Sequence, residues 1–290
     1  MAMQYMGNNP FRDCADPGNA IPSAACDRTL AALEQAIVDR RNPIVLTGPI
    51  GAGKTLLLRR IAKRPPPSIR AVYLPWLNVS GEDLIPWIRG FAGTEGGEDF
   101  VATARRFYTR GFRTLLLVDE AQGMTGESAG CLAELAGRAE GAVQVLLAGT
   151  DRPSLHEAAT AFPGAAEYIE LSGEVTPEEV ARWAQQAFGT DRPALPIDWA
   201  ELVQKAEGVP RLVRWELERR LATGDLAAAL ARQALPKTAA PTRTPAVNSE
   251  VLLELPVVPV LPEPSLEERS AFSLYLALAS EGWANLLHRL

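Results

Sequence analysis

The chain has 290 residues, 29 basic against 35 acidic side chains, a formal net charge of −6 and a hydrophobic content of 47%. That balance suits one large packed domain or a core with an appendage, and it excludes wholesale electrostatic capture of nucleic acid or anionic lipid, a local basic patch aside. Cys14, Cys26 and Cys131 show no CxxC spacing and His156 and His288 lie far apart, so neither a disulfide framework nor a zinc site is expected.

Residues 1–24, rich in Asn, Pro, Gly and Ala, read as an arm; Met1 to Asn9 lacks the apolar core of a signal sequence. Leu30, Leu33, Ala36 and Ile37 recur at helical spacing and predict a helix from Asp27 to near Arg41. It feeds a strand at Ile44–Leu46, a glycine loop and a helix from Leu56 to Lys63. Pro65-Pro66-Pro67 stops that helix, and Ile69–Leu74 reads as the second strand. Ser80 is placed as the N-cap of a helix reaching Gly90, Gly93 to Gly97 is a turn, and Glu98 to Arg110 is a further helix. After Arg113-Thr114, the four consecutive apolar residues Leu115 to Val118 fit a strand covered on both faces. Leu132 and Leu135 lie on the next helix, and Val143–Ala148 and Tyr168–Leu171 are the last strands. Strands alternating with helices predict a parallel α/β sheet with its ligand at the strands' C-terminal edge.

From Thr176 the pattern turns all-helical. Thr176-Pro-Glu-Glu179 combines an N-cap, proline at N1 and a capping-box glutamate, and helices are expected over 177–188, 197–206, 210–222 and 224–233. The stretch from Pro236 to Pro264 reads as a semi-extended linker. Beyond it Phe272, Tyr275, Leu276, Ala279, Trp283 and Leu286 fall on one helical stripe, which packs on its own domain or docks on a protein partner. The expected organisation is therefore an arm (1–24), an α/β core (25–174), a helical lid (175–233), a Pro-rich linker (234–264) and a C-terminal amphipathic helix (265–290). No stretch reaches the roughly 20 apolar residues of a membrane span, and a cytoplasmic location is expected.

Two motifs carry the chemistry. Between the first strand and its helix stands Gly48-Pro49-Ile50-Gly51-Ala52-Gly53-Lys54-Thr55-Leu56, with the spacing Gly-x4-Gly-Lys-Thr. Such glycines let backbone N–H groups wrap a phosphate at a helix N-terminus. Lys54 would neutralise β/γ oxygens of ATP and the Thr55 hydroxyl would ligate Mg²⁺. The second motif, Leu115-Leu-Leu-Val-Asp119-Glu120, ends a buried strand on two carboxylates. Asp119 is assigned to the Mg²⁺ shell and Glu120 to polarising the attacking water. Asp119 follows Lys54 by about 65 residues, which leaves room for one intervening strand, as in additional-strand P-loop NTPases. Thr150, at the end of Leu146-Leu-Ala-Gly-Thr, either bonds the γ-phosphate or its water or is a plain turn residue.

In its arm (Tyr5, Pro10-Phe11, Asp16-Pro17), its loop (Leu46 to Thr55) and its Val118-Asp-Glu-Ala-Gln122 run, the chain resembles AAA-type ATPases of the general secretion pathway A kind. These are akin to ATPases that regulate transposition. Leu147-Ala-Gly149, Thr176-Pro-Glu-Glu179 and Gly208-Val-Pro-Arg211 continue the match in order, over residues 5 to about 233. The resemblance implies the AAA fold, ATP and Mg²⁺ as ligands, homo-oligomeric assembly and a phosphate-sensing role for Arg211 from the lid. It departs at Gly164-Ala-Ala-Glu167-Tyr168, where such ATPases carry an arginine finger, and in having no membrane span. Catalysis is thus expected of Lys54, Glu120, Thr150 and Arg211 in an accessory motor or switch for assembly or secretion machinery, with a non-hydrolysing switch as rival. A DNA-transposition or DNA-loading regulator is a further rival, resting on Arg105, Arg106, Arg110 and Arg113, although a solvated face is the expected reading of that cluster.

Overall fold

The computed structural model describes residues 20–223 apart from 76, 78, 80, 93–98 and 189–194. The arm up to residue 19, the Ser80 cap, the 93–97 turn, the 224–233 helix, the linker, the tail helix, Cys14 and His288 lie outside the described residues.

Each apolar run of the α/β part is a strand: β1 (Ile44–Thr47), β2 (Ile69–Leu74), β3 (Arg113–Val118), β4 (Val143–Gly149) and β5 (Glu167–Glu170). They form one sheet in the order β2-β3-β4-β1-β5, and every pair is parallel. Strand β4 thus lies between the strand that feeds the glycine loop and the strand that ends on Asp119, and β3 and β4 are the most deeply covered.

The period-2 alternation of a strand divides these runs between two cores. Ile44, Leu46, Leu115, Leu117, Leu146 and Ala148 face α1 (Ala24–Val38) and α2 (Lys54–Lys63). Val45, Leu116, Val118, Val145 and Leu147 face α3 (Gly81–Ala92), α4 (Phe100–Tyr108), α5 (Gly126–Arg138) and α6 (Pro153–Thr160). A fully buried Leu or Ile contributes about 1.5–3 kcal/mol, so these two layers fix the strand ends on which the site stands.

Three further helices follow: α7 (Pro177–Phe188), α8 (Trp199–Lys205) and α9 (Pro210–Ala222). They enclose a separate core of Val180, Trp183, Leu202, Val213 and Leu217, which also takes in Ile21 from ahead of α1. The Thr176 capping box forms as its spacing predicts, with the Thr176 N–H donating to Glu179 Oε2 (2.9 Å) and the Glu179 N–H to Thr176 Oγ1 (3.3 Å).

The structure differs from the sequence expectation at several boundaries. Helix α1 starts at Ala24, because the Ser23 hydroxyl accepts from the Cys26 N–H (3.1 Å) and so caps it, and it ends at Val38. Helix α2 starts at Lys54. Helix α6 has no counterpart in the sequence reading: proline occupies N1, but Leu155 is its one large apolar residue, and Ala158 and Ala159 give a weak stripe. No helix among the described residues is long and apolar enough to cross a membrane. Cys26 and Cys131 are free thiols, and no His/Cys/Asp/Glu cluster suited to a metal occurs among the described residues.

Candidate functional site

The glycine loop leaves β1 at the C-terminal edge of the sheet and turns into α2, so the first N–H groups of α2 point into the turn it makes. Gly51 has φ +86°, and a Cβ there would come within 2.8 Å of Arg211 Cβ, so both its backbone and its neighbour require glycine. Lys54 is 7% exposed, and its ammonium donates to the carbonyls of Gly48 (2.7 Å) and Pro49 (2.9 Å). Burial lowers its pKa; the carboxylates of Glu120 and Asp119 pull it back up and Arg211 adds to the lowering. The lysine, both acidic residues and the arginine of α9 therefore share one electrostatic environment.

Asp119 is 3% exposed at the end of β3. Its carboxyl is bonded by the Thr55 hydroxyl, by the Tyr73 hydroxyl (2.8 Å) and by the Glu120 N–H (3.1 Å). Burial raises its pKa and the Glu120 charge adds to that, while those three hydrogen bonds oppose the rise. Tyr73 lies near the end of β2, in register with Leu117 beside it, and its own pKa is pushed up to about 12, first by burial and then by the Asp119 charge.

Glu120 has φ +50° and ψ +37°, a left-handed conformation that costs a non-glycine residue about 1–2 kcal/mol. It opens a single 3-10 turn, Ala121–Gly123, that leads into α5. The Gln122 side chain folds back from that turn: Nε2 donates to Glu120 Oε2 (2.5 Å), and Oε1 accepts from the Thr150 N–H (3.2 Å). The Thr150 hydroxyl is buried without a hydrogen-bond partner at the wall of the same cleft.

These groups line a cleft of about 320 Å³. Every residue from Ile50 to Leu56 reaches its wall, and Gly48 and Pro49 meet it through the carbonyls that hold Lys54. Glu120, Thr150 and Arg211 line the cleft too, and Asp119 joins it through Thr55. The lining also includes residues that the sequence reading did not select: Ile21 and Ser23 just ahead of α1, Cys26 in its first turn, and Arg214 one turn along α9 from Arg211. Burial raises the Cys26 thiol pKa, with the Asp27 charge adding to it. Arg152, the N-cap of α6, adds a further cation beside Thr150. No signal in the sequence marks Ile21 or Cys26, whereas Gln122 stands inside a motif that was read.

Residues 38–158 match the family model of the AAA domain. That span contains the loop, both carboxylates and Thr150. No curated protein matches the chain. Among solved structures, the Walker-type ATPase of Pyrococcus abyssi is similar over 78% of this chain and 80% of its own, at 14% identity and a TM-score of 0.54. Cdc6p from Pyrobaculum aerophilum is similar over 70% of this chain, at 15% identity and a TM-score of 0.51, and this chain spans 63% of its length. At those identities the likeness establishes the fold, a P-loop ATPase architecture with its loop at the edge where the cleft lies.

The donor set suits the metal that such a fold uses. Thr55 and Asp119 present a hydroxyl and a carboxylate, hard oxygen donors of the kind Mg²⁺ prefers. They meet where a buried carboxylate has its pKa raised by burial, a place that a cation would stabilise. Thr150 offers a buried hydroxyl still able to bond a phosphate oxygen or a water.

Proposed function

We propose that the chain binds Mg·ATP in this cleft and hydrolyses it, and that the nucleotide state moves helices α7–α9 against the α/β core. The observation that carries the reading is the bond between the Thr55 hydroxyl and the Asp119 carboxylate, which brings the end of the loop and the end of β3 together across β4. Thr55 and Asp119 would hold Mg²⁺, which when bound neutralises charge on the phosphate oxygens.

The loop from Gly48 to Leu56 would cradle the β-phosphate with its N–H groups, and Lys54 would leave the Gly48 and Pro49 carbonyls for β/γ oxygens. Thr150 would bond the γ-phosphate or the attacking water, and Arg211 would bring a second cation from the lid. Water attacks the γ-phosphorus, the bond to the β–γ bridging oxygen breaks with its electron pair leaving on ADP, and Glu120 takes the water proton. A soluble, cytoplasmic, homo-oligomeric accessory motor or switch for assembly or secretion machinery is the cellular role we assign. The tail helix 265–290 is its proposed contact with a protein partner.

Steady-state phosphate release at saturating Mg·ATP tests the chemistry, together with mass in solution with and without a slowly hydrolysed analogue. Turnover that disappears in Glu120→Gln, with nucleotide-dependent assembly, supports the reading. Tight binding with neither would leave a non-hydrolysing switch, which one observation favours: Ala161 to Glu167, ahead of β5, contains no arginine to serve as a finger. The nucleic-acid reading loses ground in the fold. Arg113 turns inward to the Ile37 carbonyl (3.1 Å) and Gln144 Oε1 (3.2 Å), and Arg105 is held by the Arg138 carbonyl (2.6 Å) and Glu140 (2.7 Å).

A further inference from the structure

Glu120 sits in a left-handed conformation at the head of a single 3-10 turn and is exposed, so packing against a core does not lock its rotamer. What holds the carboxylate is Gln122. The amide is used at both ends: its N–H group donates to Glu120 and its oxygen accepts from the main chain of Thr150. Gln122 is itself secured, since its carbonyl accepts from Ser154 Oγ (2.8 Å), the second residue of α6. The bridge crosses from the turn after β3 to the end of β4 through a gap that Gly149 leaves open. A Cβ at Gly149 would stand 2.3 Å from Gln122 Oε1 and 3.3 Å from the Gln122 main-chain nitrogen.

We propose that Gln122 is the positioning residue for Glu120. It orients the water-polarising carboxylate and ties it to the strand end that carries the Thr150 hydroxyl, so that a γ-phosphate engaged by Thr150 and the carboxylate are registered through one side chain. This rests on the reading of Glu120 given above and adds the regulation of that group. In this role the amide acts through the Glu120 carboxylate and not on the reacting atoms. Glycine at 149 follows from the same device, because any side chain there would push the amide off both partners.

The test uses the full chain and three substitutions. Gln122→Met keeps the length of the side chain and removes both hydrogen bonds. Gly149→Ala changes none of the side chains assigned to catalysis or binding and displaces the Gln122 amide sterically. Glu120→Asp keeps a carboxylate but shortens it out of reach of Gln122. Gln122→Met and Gly149→Ala are each expected to lower kcat by about 10- to 100-fold, the scale of losing a supporting hydrogen bond behind a working group, with the Kd for Mg·ATP within about threefold of wild type. In the Glu120→Asp background Gln122→Met should add less than about twofold, since the link is already cut.

Equal losses from Gln122→Met in both backgrounds, or wild-type kcat in Gln122→Met, would overturn the proposal and leave the ATPase reading standing. Absence of single-turnover phosphate release in the wild-type protein, despite nucleotide binding, would overturn both.

Discussion

Lys54→Met separates the stability of the loop from its affinity for phosphate. The side chain is 7% exposed, and its ammonium meets two carbonyl oxygens with no carboxylate in direct contact. Hydrogen bonds to a charged group contribute about 1.5–3 kcal/mol each, but the cation also bears the desolvation that lowers its pKa, and the two effects oppose. The expected change in folding stability is therefore within about 2 kcal/mol, a shift in Tm of a few degrees for a domain of this size. Nucleotide affinity has no such offset. Truncating one partner of a desolvated, hydrogen-bonded charge pair costs roughly 2–5 kcal/mol, or about 30-fold to several thousandfold in Kd. Isothermal titration with Mg·ATP, beside a thermal melt of the same sample, reads both quantities. A variant with Tm preserved that binds Mg·ATP within threefold of wild type would refute the assignment of the cleft to a nucleotide.

Three further outcomes are expected. Tyr73→Phe removes the 2.8 Å bond to Asp119, and since the tyrosine pKa is pushed up to about 12 the phenol is a donor throughout the usual assay range. Loss of such an outer partner typically costs 10–100-fold in metal affinity, so the Mg²⁺ concentration for half-maximal phosphate release should rise about tenfold; no rise removes the tyrosine from the metal's surroundings. Gly173→Ala would place a Cβ 2.4 Å from Ala52 Cβ at φ +68°, so chemical denaturation should show a loss of about 2 kcal/mol, accompanied by weaker nucleotide binding, and an unchanged midpoint would contradict it. Glu216 is held down to about 2 by hydrogen bonds from Arg219 and Arg220, against the opposing effect of burial. A depressed carboxylate stabilises the fold above its unfolded pKa and ceases to do so as pH falls through its folded one. The stability gap between wild type and Glu216→Gln should thus be flat above pH 5, about 2–3 kcal/mol after screening at the half-exposed Arg219, and should close toward pH 2 in a melt series.

The sheet could be read from the sequence because burial on both faces leaves a signal in consecutive residues: Leu115 to Val118 can hardly be anything but a covered strand. The loop was equally plain, since backbone approach to a phosphate dictates residue types at fixed offsets. Helix α6 escaped because alanine fills a shallow groove without a strong period. The arginines at 105, 106, 110 and 113 looked like one cluster because linear proximity says nothing of direction, and the fold turns two of them onto carbonyls. Tyr73 and Gln122 are hydrogen-bonded to partners 46 and 28 residues away, just past the ends of other strands, so only the register of the sheet reveals them. Ile21 is the extreme case: an isolated apolar residue ahead of a helix, it belongs to the core of three helices more than 150 residues later.

That last contact bears on how a nucleotide could move α7–α9. The helical core closes over Ile21, and the Glu179 carboxylate accepts from the Ala24 N–H (2.8 Å), so the first turn of α1 is fastened to α7. Ile21, Ser23 and Cys26 also line the cleft. Arg211 stands against Gly51 with no room for a Cβ between them, and Gly173, in the connection from β5 to α7, presses on Ala52. Helix α9 and the connection into α7 therefore meet the glycine loop at Gly51 and Ala52, and the helical core meets other residues of the cleft wall through Ile21 and α1. A ligand that fills the cleft must contact both attachments at once, whereas a loop rearrangement alone would engage only Gly51 and Ala52. Tight packing passes such displacements on as rigid-body shifts in preference to absorbing them, so under the proposed function a change at the γ-phosphate would rotate α7–α9 about the α1 attachment.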